Sequence, residues 1–240
     1  MDWFPKTAMV FAAGLGTRML PLSRTCPKPL IKVAGKALID HVLDPLAQIG
    51  LPQAIVNVHY LADQIEAHVK NRRAPQIILS DERAHLLDQG GGLRKVLPLL
   101  GDDPFLICNT DAFWVEGASS NLRRLISTWQ PEIMDILLLV APAATSIGVD
   151  SSGDFLMDAE GRLSRRAENG VAPFVYTGVG IMKPELVAAE KKDIFKLAPL
   201  FFEAALKGRL FGLRLDGLWL HVGTPEAIAE AEQAIQRSTL

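Results

Sequence analysis

Two glycines and two cations follow the first apolar run of the chain. Gly14 and Gly16 form a loop directly after that run. The same loop then presents Arg18 and Lys28, and Lys28 is fixed between two prolines. Glycines allow a backbone to approach a ligand closely and to direct successive N–H groups at it. Because arginine and lysine bind phosphate oxygens, the loop is predicted to hold a polyanion, of which a nucleoside triphosphate is the clearest example.

Two better-known phosphate-binding loops do not fit this sequence. The dinucleotide-binding fingerprint requires a third glycine where the chain has Met19. A P-loop requires Gly-Lys-Ser/Thr at its end, which this loop lacks. A turn whose glycines serve only backbone geometry would account for Gly14, but not for Arg18 or for a lysine between two prolines. Phosphate binding is therefore favoured.

Asp111 is the first candidate metal ligand. It follows the apolar run 105–108, directly after Asn109 and Thr110. Ligands of open α/β sheets bind in the crevice at the carboxyl ends of the strands, and Mg²⁺ prefers oxygen ligands. An aspartate that only caps the following loop is the alternative. The glycine loop elsewhere in the sequence favours a role in binding metal.

Several motifs resemble the signature of the sugar-1-phosphate nucleotidyltransferases. They are Gly14-Leu15-Gly16-Thr17-Arg18-Met19, Pro21-Leu22, Pro27-Lys28-Pro29-Leu30 and Trp219-Leu220-His221-Val222-Gly223-Thr224-Pro225. The resemblance extends along nearly the whole chain and ends in a terminal helix. It implies that the glycine loop wraps around a nucleotide.

The resemblance also implies roles for individual residues. Arg18 is expected to hold the outgoing pyrophosphate, Lys28 to steady the α-phosphate, and Asp111 to bind the metal ion. These three are the predicted catalytic residues. The predicted nucleotide-binding residues are Ala12, Ala13, Gly14, Gly16, Thr17, Gln89, Gly90, Gly91 and Asn109.

His221 departs from the family pattern. Members of the family have Trp-x-Asp at this point, and that aspartate is the second metal ligand, whereas this chain has histidine. Imidazole is a poorer ligand than carboxylate for Mg²⁺ but is acceptable to Mn²⁺, Co²⁺ or Zn²⁺. His221 could bind a softer metal, contact phosphate directly while Asp111 holds the metal alone, or impair the site. We expect an active enzyme that uses Mg²⁺ or Mn²⁺, with Asp111 and His221 as its metal ligands.

Gln89 and the three glycines after it precede a helical pattern. Glycines at the start of a helix allow a ligand to approach its N-terminus. The corresponding segment of the family contacts the base and the ribose, and the amide of Gln89 offers both a donor and an acceptor to a base edge. A flexible lead-in to the helix has nearly equal support.

The sugar site is predicted from a second group of motifs. Gly178 and Gly180 alternate along a strand and would leave a bare strip against which a hexose could pack. A Glu-Lys-Pro motif is expected near Glu168, but the lysine and the proline are absent, so Lys196 is a candidate replacement or simply a solvated lysine. The predicted sugar-binding residues are Asp154, Glu168, Thr177, Gly178 and Lys196.

These parts suit phosphoryl transfer, in which enzymes mainly position reactants and neutralise charge. An oxygen of a sugar 1-phosphate is expected to attack the α-phosphorus of a nucleoside triphosphate in line and to expel pyrophosphate. Because this nucleophile is already anionic, no general base is required.

Within the family, the chain is most similar to the N-acetylmuramate-1-phosphate uridylyltransferases of bacterial cell-wall recycling. The similarity rests on the compact length, the Gly-Gly-Gly segment, Gly153-Asp154-Phe155 and residues 195–200. UTP and N-acetylmuramate 1-phosphate are therefore the expected substrates. Mannose-1-phosphate guanylyltransferases share the N-terminal motifs and are the first alternative. The second alternative is a catalytically silent homologue that binds sugar nucleotides, which only His221 favours.

The elements that must position these residues alternate between strands and helices. Short apolar runs predict strands at 7–13, 54–58, 76–80, 104–108, 134–140, 173–182 and 210–215, and a hairpin at 154–166. Helical patterns occupy 37–49, 61–70 and 90–100, and a last helix begins at Pro225, with Thr224 as a candidate N-cap. Such alternation predicts a single α/β, Rossmann-like domain over residues 1–240, with a mixed, mainly parallel sheet and helices on both faces.

Composition limits the other possibilities. The net charge is −2 and the two signs are interspersed, so no nucleic-acid partner is expected. The apolar runs are too short to span a membrane. Two cysteines are too few for a disulfide framework, and no spacing indicates zinc. We therefore expect a cytoplasmic protein without a membrane partner, and the oligomeric state is left open.

Overall fold

A nine-stranded mixed sheet forms the centre of the computed structural model, which describes residues 3–149 and 152–238. The strands are β1 (Thr7–Phe11), β2 (Lys32–Val33), β3 (Lys36–Ala37), β4 (Gln53–Val58), β5 (Gln76–Asp81), β6 (Phe105–Asn109), β7 (Ala112–Glu116), β8 (Ile136–Pro142), β9 (Phe155–Met157), β10 (Leu163–Arg165), β11 (Phe174–Met182), β12 (Leu210–Arg214) and β13 (Gly217–His221). The helices are α1 (Leu38–Gln48), α2 (Ala62–Val69), α3 (Asp88–Leu100), α4 (Asn121–Thr128), α5 (Pro184–Ala188), α6 (Ala198–Leu206) and α7 (Pro225–Ser238).

Strand order brings the carboxyl ends of the chemically important strands to one edge. β5, β4, β1 and β6 are parallel neighbours in that order. β11 is antiparallel to β6, and Val179 in its second half pairs with Cys108 near the end of β6. β8 is antiparallel to β11, and β12 is parallel to β8. The predicted mixed α/β sheet is therefore confirmed, and the loops after β1 and β6 lie next to each other.

Helices cover both faces of this sheet. Successive side chains of a strand point to opposite faces, and along β1 Val10 packs with one core cluster while Met9 packs with the other. The Val10 cluster includes Leu43 of α1, and the Met9 cluster includes Leu93 of α3. A third cluster, around Met19, lies beneath α7. The predicted helices on both faces are thus confirmed.

A separate two-stranded sheet was not predicted from the sequence. β7 and β13 pair antiparallel, although 100 residues lie between Glu116 at the end of β7 and Gly217 at the start of β13. Helices α4, α5 and α6 and the short antiparallel pair of β2 and β3 were also missed. The hairpin of β9 and β10 and the helix beginning at Pro225 are confirmed. Among residues 3–149 and 152–238, none of the helices combines the length and apolar character that crossing a bilayer requires.

Candidate functional site

Two adjoining cavities open at the carboxyl ends of β1 and β6. The first has a volume of about 480 Å³ and the second about 970 Å³. Both are lined by Arg18, Asn109, Asp111 and Gly223, so these residues stand where the cavities meet. A molecule in one cavity and a molecule in the other would therefore approach each other beside Asp111.

The glycine loop forms one wall of the first cavity. This wall includes Ala12, Ala13, Gly14, Gly16, Thr17, Arg18 and Lys28. Gly16 has a φ of +65°, and a Cβ added there would lie 3.2 Å from the Cβ of Lys28. The left-handed backbone and the close approach both favour glycine at this position. The loop thereby folds back over the segment that carries Lys28, and brings both predicted cations to the cavity.

Lys28 and Asp111 form an ion pair at this junction. The Nζ atom of Lys28 donates to Oδ2 of Asp111 at 2.9 Å. The Nε2 atom of His221 lies 3.6 Å from the same carboxylate oxygen. The ladder of β7 and β13 sets this arrangement, because it places His221 opposite Ala112. The predicted catalytic and metal-binding side chains are therefore brought together.

The charge on Asp111 is stabilised by its neighbours. Burial by itself raises the pKa of this carboxyl group, but His221 and the Lys28 ammonium hold the pKa well below its usual range. The Nδ1 atom of His221 lies 3.2 Å from the carbonyl oxygen of Gly148. A neutral His221 with its proton on Nδ1 would donate to that carbonyl, and its Nε2 lone pair would then be available to a cation in place of the contact with Asp111.

Asp111 and His221 form a donor set that suits a divalent cation. One carboxylate oxygen and one imidazole nitrogen face the same opening. Magnesium usually takes only one or two protein ligands and completes its shell with water and substrate phosphates. Across residues 3–149 and 152–238, His, Cys, Asp and Glu nowhere gather in threes as a closed metal site would require. Asp111 and His221 would supply two ligands to an open site of the kind that magnesium uses.

The glycines before Leu93 differ from the expectation. Helix α3 begins at Asp88, so these glycines form its first turns and are buried. A Cβ added at Gly90 would lie 2.3 Å from the Phe195 ring, and one added at Gly91 would lie 2.2 Å from the Asp193 carbonyl oxygen. Gly90 and Gly91 thus allow α3 to pack against residues 193–195 and do not line the first cavity.

Gln89 does line the first cavity. Its Nε2 atom donates to Oδ1 of Asn109 at 2.8 Å. That bond uses the NH₂ group of the Gln89 side chain, so the oxygen of the side-chain amide stays available as an acceptor. Gln89 and Asn109 are accordingly brought together, as the prediction of a shared nucleotide site requires.

Three of the five predicted sugar-binding residues line the second cavity. They are Asp154, Thr177 and Gly178. Asp154 accepts a hydrogen bond from the backbone N–H of Tyr176 at 2.9 Å, and the Thr177 hydroxyl donates to the Leu139 carbonyl at 2.8 Å. Glu168 and Lys196 lie outside the two cavities. Lys196 is exposed, in agreement with the interpretation as a solvated lysine.

The bare strip expected from Gly178 and Gly180 does not form. The register of β11 against β8 is interrupted between Tyr176 and Gly180, and Gly178 has a φ of +89°. A β-bulge breaks the alternation of side chains along a strand. A Cβ added at Gly180 would therefore meet the Leu137 carbonyl at 2.9 Å, whereas one at Gly178 would meet Asn109 at 2.8 Å.

Several lining residues were not found from the sequence. Asn57, Glu82, Leu86 and Ile194 line the first cavity. Glu226, Glu230, Gln233 and Arg237 line the second from α7. The position of Asn57 near the end of a predicted parallel strand was an available signal, since such ends share one edge of the sheet. Nothing local in the sequence distinguishes the residues of α7 from a solvated helix face.

Comparison with known proteins agrees with this geometry. The family model described as MobA-like NTP transferase domain matches residues 8–215. The N-acetylmuramate alpha-1-phosphate uridylyltransferase of Caulobacter vibrioides is 45% identical over 236 residues, which are 97% of this chain and 98% of that protein. The enzyme of the same description from Neisseria meningitidis serogroup B is 35% identical, over 94% of this chain and 96% of that protein.

More distant matches include a protein of the guanylyltransferase class that was the first alternative, and a solved structure that shares the fold. The mannose-1-phosphate guanyltransferase beta-B of Xenopus laevis is 26% identical, over 91% of this chain and 61% of that protein. The crystal structure of HddC from Yersinia pseudotuberculosis complexed with GMP-PN aligns with a TM-score of 0.75 over 96% of this chain and 99% of that one. At 20% identity, this likeness establishes a shared fold only.

Proposed function

The chain belongs to the MobA-like NTP transferase domain family, and we propose that it transfers a uridylyl group from UTP to N-acetylmuramate 1-phosphate. The products would be the UDP-sugar and pyrophosphate. The proposal is carried by the meeting of two cavities beside Arg18 and Asp111, in a chain whose 45% identical relative bears this activity in its description. The reaction would serve the recycling of cell-wall sugars.

The first cavity would take the triphosphate and the second the sugar phosphate. A phosphate oxygen of the sugar attacks the α-phosphorus, and a new P–O bond forms. The bond from the α-phosphorus to the oxygen that it shares with the β-phosphate breaks, and its electron pair leaves with pyrophosphate. The attacking oxygen is already anionic, so no side chain has to remove a proton.

The side chains at the junction would neutralise charge and hold the reactants in line. Lys28 exchanges its partner Asp111 for an oxygen of the α-phosphate, where negative charge develops. Arg18 and the N–H groups of the glycine loop hold the outgoing pyrophosphate. These contacts position both phosphates before the reaction, which is the main contribution of enzymes to this chemistry.

Asp111 and His221 would hold a divalent cation. The cation, when bound, would screen the charges of the two phosphates from each other. Because one ligand is an imidazole nitrogen, Mn²⁺ would bind better relative to Mg²⁺ than it would with two carboxylate ligands.

A substrate and metal matrix tests the proposal. Pyrophosphate release is measured for UTP, GTP, CTP and dTTP against the 1-phosphates of N-acetylmuramate, N-acetylglucosamine, glucose and mannose, with Mg²⁺ and with Mn²⁺. The expected result is one preferred pair, UTP with N-acetylmuramate 1-phosphate. A preference for GTP with mannose 1-phosphate would overturn the proposed substrates in favour of the guanylyltransferase alternative.

His221 supports one further candidate, a catalytically silent protein that binds sugar nucleotides. The matrix is therefore repeated with a His221→Asp variant, which restores the family's carboxylate. An active enzyme shows a higher ratio of Mn²⁺ to Mg²⁺ activity in the unaltered chain than in the variant. Nucleotide binding without turnover, with activity only in the variant, would instead establish the silent protein.

A further inference from the structure

Two buried polar residues connect the walls of the first cavity. Asn57 and Glu82 are 3% and 2% exposed, and both line that cavity. The Oδ1 atom of Asn57 accepts a hydrogen bond from the backbone N–H of Ala12 at 2.8 Å, and its Nδ2 atom donates to Oε1 of Glu82 at 2.9 Å. The Oε2 atom of Glu82 accepts from the backbone N–H of Leu87 at 3.3 Å.

These three hydrogen bonds run across neighbouring elements. Ala12 directly follows β1, Asn57 lies in β4, and Glu82 directly follows β5. Leu87 immediately precedes α3, which carries Gln89 on its first turn. The glycine loop is thus linked, through two side chains, to the start of the helix on the opposite side of the cavity.

Burying the carboxylate of Glu82 costs desolvation free energy that an apolar side chain of similar size would not. Its two oxygens accept hydrogen bonds from the Asn57 amide and the Leu87 backbone N–H, and these neutral donors offset part of its desolvation. A carboxylate only accepts hydrogen bonds, and it therefore sets the orientation of the Asn57 amide, whose oxygen must then face Ala12.

The surrounding packing preserves this arrangement. A Cβ added at Gly92 would lie 2.8 Å from Oε1 of Glu82 and 3.1 Å from Nδ2 of Asn57. Glycine at this position thus leaves room for both side chains beneath α3. A helix whose first turns held larger residues would displace one or both of the hydrogen-bonded groups.

We propose that Asn57 and Glu82 form a positioning pair that holds the glycine loop and the start of α3 at the separation a nucleotide requires. Neither residue takes part in the bond changes. The pair keeps the N–H groups of the loop and the amide of Gln89 aimed at one ligand, so that less binding energy is lost in ordering them. The inference rests on the proposed function, because it takes the first cavity as the nucleotide site.

Exchanging the polarity of the pair provides a test. Asn57→Asp places a second carboxylate against Glu82, and Glu82→Gln brings an NH₂ group to face either the Asn57 NH₂ or the Leu87 N–H. In the double variant Asn57→Asp/Glu82→Gln, the new carboxylate accepts from Ala12 and from the new amide. The carbonyl of that amide accepts from Leu87, and the net charge is unchanged.

The Kd for UTP is measured by calorimetry, together with the KM of each substrate, kcat and Tm. Each single variant is expected to raise the Kd and the KM for UTP about tenfold, the effect of one unsatisfied buried polar group. The KM for the sugar phosphate should change much less. The double variant should return the UTP values to within about threefold of the unaltered chain. A purely structural pair would lower Tm in the single variants but leave the UTP affinity of the folded protein unchanged.

Asn121→Asp is the matched control. Asn121 is also fully buried and donates from Nδ2 to a glutamate, Glu116, but it lines neither cavity. This variant should lower Tm without changing the Kd for UTP. Folded single variants with unchanged UTP affinity, or a folded double variant that stays as weak as the single ones, would overturn the inference alone. Failure of the unaltered chain to bind UTP would overturn the proposed function itself.

Discussion

The ion pair between Lys28 and Asp111 shows how individual residues at the site depend on each other. Both side chains are only partly exposed, 13% for Lys28 and 27% for Asp111. In the absence of substrate, each side chain neutralises the other at the junction of the cavities. When substrate binds, phosphate would contact Lys28 and a cation would contact Asp111. The pair lowers the pKa of Asp111 and so keeps its carboxylate ionised, and it holds both side chains at the junction before substrate arrives.

Removing the Lys28 ammonium should affect turnover much more than folding. Lys28→Ala is expected to lower kcat by about 10²–10³-fold, the typical effect of losing one group that stabilises charge in the transition state. Steady-state kinetics with thermal unfolding checks this. Lys32→Ala, at an exposed position of β2 outside both cavities, is the matched control and should leave kcat unchanged. A Lys28→Ala enzyme with near-normal kcat would contradict the assigned role.

At the scale of elements, α3 illustrates how close packing can require glycine inside a helix. Glycine in a helix interior is usually less favourable than alanine by about 1 kcal/mol. At Gly91, however, an added Cβ would lie 2.2 Å from the carbonyl oxygen of Asp193. The neighbour is backbone and cannot rotate away, so the steric cost should exceed the gain in helix propensity.

We therefore expect Gly91→Ala to lower the free energy of unfolding by about 1–3 kcal/mol, the usual cost of overpacking. Urea denaturation of the variant and the unaltered chain measures the difference. Gly170→Ala is the matched control, because a Cβ there would meet its nearest neighbours at 3.4 Å. If Gly91→Ala were as stable as Gly170→Ala, the contact between α3 and residues 193–195 would not be as close as described.

The stability of the whole molecule should depend on pH through a buried thiol at the centre of its sheet. Cys108 lies in β6 and is 1% exposed. Burial disfavours the thiolate and raises the pKa of Cys108 to about 12. In the unfolded chain the same thiol has an ordinary pKa of about 8.5. Between these values the folded state binds more protons than the unfolded state, so stability falls as the pH rises.

This difference predicts an alkaline decline in stability of at most about 1.4 kcal/mol per pH unit from Cys108. The decline should begin near pH 8, as the thiol of the unfolded chain starts to ionise, and be absent at about pH 7, where both states hold the proton. Urea denaturation of the unaltered chain and of Cys108→Ala at pH 7, 8, 9.5 and 10.5 measures it. The variant should be less stable at pH 7 but show a shallower alkaline slope. Equal slopes would show that Cys108 ionises normally in the folded protein.

The glycine loop and the Asp111 motif could be identified from the sequence because the residues of each motif lie close together along the chain. Gly16, Arg18 and Lys28 belong to one loop, and Asp111 directly follows a strand whose apolar run reveals its burial. The main strands and both flanking helix layers were predictable for the same reason, since hydrophobic periodicity reports burial along a single element. These features were sufficient to predict the α/β fold and three side chains that the structure brings to one junction.

Only the tertiary structure showed how distant residues meet. His221 reaches Asp111 through the pairing of β7 with β13, and Asn57 meets Glu82 because β4 and β5 are neighbours in register. Because of the bulge in β11, Gly178 lines the second cavity and Gly180 does not. Strand register and helix docking are set by the combined packing of many residues, so which buried polar groups become partners is not encoded in any local pattern.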